Sequence, residues 1–124
     1  MNREEWNKNA GHPMQSWEWG KFREKMGNRI TRINGDNQYL IIWTNAKPTN
    51  LWFGYCPMSK IPTEEDLKTM KDGIGIRFEP YEMKGAKVPD GLTEGRHLFK
   101  PKTYWIDLTL DEDELLGRMT SKCR

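Results

Sequence analysis

The sequence predicts an α/β or α+β domain with a mixed sheet flanked by helices, and three observations carry that expectation. Short β-type runs interleave with helix-type runs, which places strands and helices in one layered unit. The 124 residues suffice for one compact domain of roughly 100–150 residues. Six Trp, four Tyr and four Phe supply an aromatic core although 31% of residues are charged, and disordered chains lack such aromatics.

Taken in order, residues 1–11 read as a polar lead-in. A helix is expected from about Ser16 to Met26, with Ser16 as N-cap and Gly27 as its stop. Trp19, Phe22 and Met26 recur at i, i+3 and i+7 and form its expected apolar stripe. Two β segments follow, Arg29–Ile33 and Gln38–Thr44. Between them stands Asn34-Gly35-Asp36-Asn37, where Asn-Gly favours a positive-φ hairpin turn. Leu51–Cys56 is a third strand, after the turn-forming Lys47-Pro48-Thr49-Asn50. Thr63 to about Lys71 reads as a second helix, with Thr63 and Asp66 at capping-box spacing and Gly73 as its end.

Ile74–Phe78 and Tyr104–Leu108 are the fourth and fifth strands, separated by a Gly- and charge-rich loop. Asp111 caps a third helix whose apolar side is Leu115, Leu116 and Met119. That helix is expected to reach Arg124 without meeting a stop, so the chain reads as cut inside an element.

Composition excludes several classes. A net charge of +2, from 20 basic and 18 acidic residues, is not the basic excess of a typical nucleic-acid binder. The polar first residues are unlike a signal peptide, and no apolar run approaches the ~20 residues that span a bilayer. A soluble, cytoplasmic protein is expected. Cys56 and Cys123 stand in unrelated contexts, and His12 and His97 lie far apart, so no disulfide framework or zinc motif is indicated. There is no Walker A loop and no GxGxxG, and no cofactor is expected.

Two places could carry chemistry. On the first helix, Arg23 borders the apolar stripe, where its guanidinium either meets a phosphate or carboxylate or covers apolar surface with its stem. Lys21 points nearly the opposite way, with Trp17 on its side as a surface ring or a ligand contact. At the fourth strand, alternation sets Arg77 and Glu79 on one face and Ile76 and Phe78 on the other. Arg77 and Glu79 either line a cleft or form a structural ion pair. Arg118, Lys122 and Arg124 give the last helix a basic end.

Four strings stand in the order of a known family. Gln15-Ser16-Trp17-Glu18-Trp19-Gly20-Lys21-Phe22-Arg23 resembles the opening of Fem-type peptidoglycan bridge-forming aminoacyltransferases. Tyr55-Cys56-Pro57 resembles their Y-x-P strand end, and Ile76-Arg77-Phe78-Glu79-Pro80 their strand ending in an acidic residue and Pro. The stretch from Pro101 through Asp107-Leu108 to Met119 and Lys122 resembles the family's following strand and helix.

The resemblance spans about Gly11 to Arg124 and implies a partial GNAT-like domain of a much longer, twin-domain enzyme. It implies transfer of an aminoacyl group from aminoacyl-tRNA to the stem-peptide amine of a nucleotide- or lipid-linked muropeptide. The acceptor would be bound here, while the donor would be read elsewhere in the enzyme. Residue by residue, it makes Arg23 the diphosphate contact, with Lys21 second to it, and Glu79 the acidic group lining the acceptor site. It assigns no catalytic residue to this chain, which alone is expected to be inactive and prone to self-association.

Two competing readings remain. One is a GNAT-like N-acyltransferase using acyl-CoA and another amine. The other is a small nucleic-acid or glycan-binding module, whose Trp-rich helix would stack on its ligand.

Overall fold

The computed structural model describes residues 2–81, 86–96, 98–99 and 107–122. Four strands form one mixed sheet in the order β1-β2-β3-β4: β1 is Arg29–Asn34, β2 Gln38–Asn45, β3 Trp52–Ser59 and β4 Gly75–Pro80. The first three run antiparallel, whereas β4 lies parallel to β3. A parallel neighbour requires a crossover, and α3 (Glu64–Thr69) lies within that connection.

The β1–β2 hairpin pairs Asn34 with Gln38, which leaves a three-residue loop. The hairpin expected from Asn34-Gly35 is therefore present, but the left-handed glycines are Gly27, Gly73 and Gly91, and Gly35 is not among them. With three residues to close the loop, Gly35 needs no positive φ, and its N–H donates to the Asn37 carbonyl at 3.1 Å.

Alternation along β2 divides its apolar residues between two faces. Tyr39, Ile41 and Trp43 join Cys56 in a buried cluster, against which Trp52, Met70, Ile76 and Phe78 pack. Full burial of such side chains is worth roughly 1.5–3 kcal/mol each before ordering costs. The α3 helix is tied to this face through Asp66 and its C-cap Met70. Thr63 and Asp66 form the expected capping box, and Asp66 Oδ2 also accepts from the Tyr39 hydroxyl at 2.7 Å. The helix ends at Thr69 with Met70 as its C-cap, ahead of Gly73, which instead turns the chain into β4 at φ 74°.

The other face carries Leu40 and is covered by α2 (Trp17–Lys25), with Ser16 as the expected N-cap. Here the expected stripe fails. Phe22 is 48% and Met26 66% exposed, and the residue buried on α2 is Gly20. A Cβ on Gly20 would stand 2.3 Å from Arg32 Nη2 and 3.0 Å from Leu40 Cδ1, so the bare backbone lets the helix lie close to the sheet. Close approach there outweighs the larger apolar area on the neighbouring flank.

The lead-in is also corrected. Residues Arg3–Asn9 form α1, capped by Asn2, and its Trp6 is fully buried. One buried indole anchors an otherwise polar helix, and its Nε1 donates to the Gln15 carbonyl at 2.7 Å. A short 3-10 turn, Pro13–Gln15, follows and is capped by His12, whose Nδ1 accepts from the Met14 N–H.

Gln15 has a specific place in the sheet. The β2–β3 pairing runs from Asn45↔Trp52 to Ile42↔Tyr55 and stops there. Continuing that register would set Leu40 opposite Pro57. The Gln15 side chain bridges those two positions, accepting from Leu40 N–H at 2.7 Å and donating to the Pro57 carbonyl. A side-chain amide thus satisfies the backbone groups that the parted strands leave open.

At the far end, α4 is Glu112–Arg118, capped by Asp111 as expected. It stops at Met119, whose backbone is extended, and does not continue through residues 119–122. Gly117 weakens a helix of only seven residues by about 1 kcal/mol relative to Ala, and Leu116 and Met119 stay exposed. Residues 104–106 of the expected fifth strand, Tyr104–Leu108, lie outside the described residues. Leu108 is in a turn, and the Asp107 carboxylate accepts from Thr109.

Candidate functional site

The polar face of β4 meets β3 where the parallel pair becomes irregular. Tyr55 is paired with Arg77 and Pro57 with Glu79, and the register then shifts between Pro57 and Ser59. Met58, within the shift, has φ 45°, a left-handed conformation uncommon for a side chain of this size. A bulge of this kind re-aims side chains and ends pairing, and bulges recur beside binding sites. Ile76 and Phe78 turn into the core, as alternation predicts.

Glu79 is buried although it is a carboxylate. Its Oε1 accepts from the backbone N–H groups of Leu98 at 2.7 Å and Phe99 at 3.2 Å, while Oε2 faces Arg77 Nε at 3.5 Å. These three donors offset its lost hydration. Arg77 remains 42% exposed at its side chain, so the cluster opens to solvent on that side. Tyr55 Oη is buried and has no hydrogen-bond partner among the described residues. Burial, and then the Glu79 carboxylate, push its phenol up to about 12, so it remains a neutral hydroxyl at neutral pH.

A second polar group lies under α2. Arg32 stacks on the Trp17 ring at 4.3 Å and pairs with Glu24 at 3.1 Å. Glu24 also receives Lys21 at 2.8 Å, and hydrogen bonds from Lys21 and then Arg32 hold its carboxyl below the usual range. Trp17 and Lys21 thus have partners within the fold. Arg23, on the same helix, has a buried Nε without a hydrogen-bond partner among the described residues, as do Arg32 Nε and Nη2 and Trp19 Nε1.

The structure therefore brings Arg77 and Glu79 together and adds Tyr55 to them. Among the described residues, no hydrogen bond or ion pair joins Arg23, Lys21 or Trp17 to that cluster.

Comparison with known proteins identifies no relative: no family model, curated protein or solved structure matches the chain. Among the described residues no group of His, Cys, Asp and Glu is arranged to hold a metal ion, and no helix is long and apolar enough to cross a membrane.

Tyr55 and Arg32 are the residues that pattern reading passed over. The signal for Tyr55 was the β-alternation of Phe53, Tyr55 and Pro57 against Cys56. For Arg32 it was the β1 alternation that sets it beside Ile30 on the α2 side. On the opposite face, a depression of about 270 Å³ is lined by Lys71 and Asp72 as well as by Leu67, Met70, Ile76 and Phe78.

Proposed function

We propose that this chain is the acceptor-binding part of a Fem-type aminoacyltransferase with a GNAT-like fold, acting in the cytoplasm on a muropeptide. The observation that carries the reading is the Tyr55–Arg77–Glu79 cluster at the bulged end of the parallel pair. Cleft-lining polar groups collect at the carboxyl ends of strands in α/β folds. Glu79 belongs to the string that resembles the family's acidic strand end, and a carboxylate there suits an amine.

In this reading the stem-peptide amine sits beside Glu79, and Arg23 contacts the diphosphate through its guanidinium. The chemistry is attack of a neutral amine on the ester of aminoacyl-tRNA, which displaces the tRNA hydroxyl. That step also needs a proton acceptor and stabilisation of the carbonyl oxygen. This chain contributes position: it holds the amine, and the donor is bound by other parts of the enzyme.

The test is a calorimetric titration with a nucleotide-linked muropeptide, comparing wild type, Arg23→Ala and Glu79→Ala at equal folded content. Each lost charge-assisted contact should cost roughly 1.5–3 kcal/mol of binding. A wild-type chain that ignores the muropeptide removes this substrate class, and a GNAT-like acyltransferase for another amine then takes its place.

A further inference from the structure

We infer that the Tyr55–Arg77–Glu79 cluster receives the head of an α-amino acid, an amine with a carboxylate on the same carbon, in preference to a lone amine. The inference rests on the acceptor-site reading for the place of the amine, and it narrows the class of acceptor.

Charge balance is the first argument. Arg77 and Glu79 cancel, with Arg77 Nε 3.5 Å from Glu79 Oε2. A lone ammonium near Glu79 would gain from the carboxylate and lose nearly as much to the guanidinium beside it. A zwitterionic head reverses that loss, because its carboxylate meets Arg77 while its ammonium meets Glu79.

Donor geometry is the second. Arg77 turns Nε toward Glu79, and its terminal nitrogens make no hydrogen bond among the described residues. That leaves guanidinium donors for a carboxylate, which Arg holds in a forked pair. Tyr55 is the register partner of Arg77, so both side chains leave the same face of the sheet. Its buried hydroxyl has no partner among the described residues, a costly state that a ligand oxygen would relieve.

The acceptor so defined is a diamino-dicarboxylic stem residue, whose reacting amine stands next to a carboxylate. A plain lysine side chain carries no such group.

The experiment uses the chain itself, isotopically labelled, with the Arg77 Nε–H and Tyr55 ring signals followed by NMR. The probes are 2,6-diaminopimelate and 1,5-diaminopentane, which is the same carbon chain without carboxylates. The diamino acid should bind at least about tenfold more tightly than the diamine, as expected for a charge-assisted contact. Tyr55→Phe, which keeps the ring and the packing, should weaken the diamino acid about three- to tenfold and leave the diamine unchanged.

Equal binding of the two probes, no binding of the diamino acid, or an inert Tyr55→Phe would each overturn the inference. A nucleotide-linked muropeptide is titrated in parallel. If the free diamino acid binds as described and the muropeptide does not, the zwitterion site stands and the Fem reading falls.

Discussion

Gln15 fills a gap in the β2–β3 ladder, its Oε1 accepting from the Leu40 N–H at 2.7 Å where the strands have already parted. The same amide donates to the Pro57 carbonyl, and the Gln15 carbonyl receives the Trp6 indole. One residue therefore fastens α1 and the start of α2 to the sheet. Gln15→Ala would leave a buried backbone N–H and carbonyl unpaired, for a loss of about 2–3 kcal/mol. Urea unfolding measures it, and a loss below about 0.5 kcal/mol would refute the bridging role.

Gly73 carries a second prediction. At φ 74° a Cβ would stand 2.5 Å from both the Trp52 carbonyl oxygen and Trp43 Cζ3. Backbone strain and the clash act together, so Gly73→Ala should destabilise by about 2 kcal/mol or more. Trp43 fluorescence should shift in the folded state. Unchanged stability would mean the turn into β4 has room that the geometry denies.

These positions show how far the sequence could be read. Alternation was legible in β4, where Ile76 and Phe78 turn into the core and Arg77 and Glu79 fall on the other face. Ser16, Thr63 and Asp111 were legible as caps because their partners lie within three residues. The α2 packing face was not, since Gly20 is chosen by what it lacks and hydrophobic periodicity rewards Trp19, Phe22 and Met26 instead. Trp6 was hidden in a polar segment because its burial depends on Gln15 and the sheet, both distant in sequence. Gly117 was overlooked as the weak point of the last helix. Within the site, the unpartnered Tyr55 hydroxyl depends on tertiary placement that no local pattern encodes.

Asp66 ties α3 to the core through Thr63 and the Tyr39 hydroxyl. Burial alone would raise its carboxyl, but hydrogen bonds from the Thr63 N–H, the Tyr39 hydroxyl and the Thr63 side chain outweigh it and hold the carboxyl low. Asp66→Ala should cost about 1–3 kcal/mol, combining a lost cap with an orphaned phenol. In a double-mutant cycle with Tyr39→Phe the two losses should be less than additive. Strict additivity would show that the 2.7 Å contact carries no energy.

Alkaline pH should weaken the fold. Burial pushes the Cys56 thiol from 9.0 up to about 11. A folded value above the unfolded one means the folded chain holds its proton longer. That stabilisation is complete below pH 9 and is lost as pH rises toward 11. For Cys56 the slope approaches 1.4 kcal/mol per pH unit in that window. Tyr55 and Tyr39 are also raised by burial and extend the loss above pH 10. Unfolding free energies between pH 7 and 11 check it, and a flat profile above pH 9 would contradict a buried, neutral thiol.

The most direct test of the acceptor-site account separates its two ends. Wild type, Arg23→Ala and Glu79→Ala are titrated with a nucleotide-linked muropeptide and with the same stem peptide lacking the diphosphate. The account predicts that Arg23→Ala weakens the full ligand by about 1.5–3 kcal/mol and leaves the bare stem unaffected, while Glu79→Ala weakens both. If the two variants bind both ligands as wild type does, neither residue touches the acceptor and the site assignment is wrong.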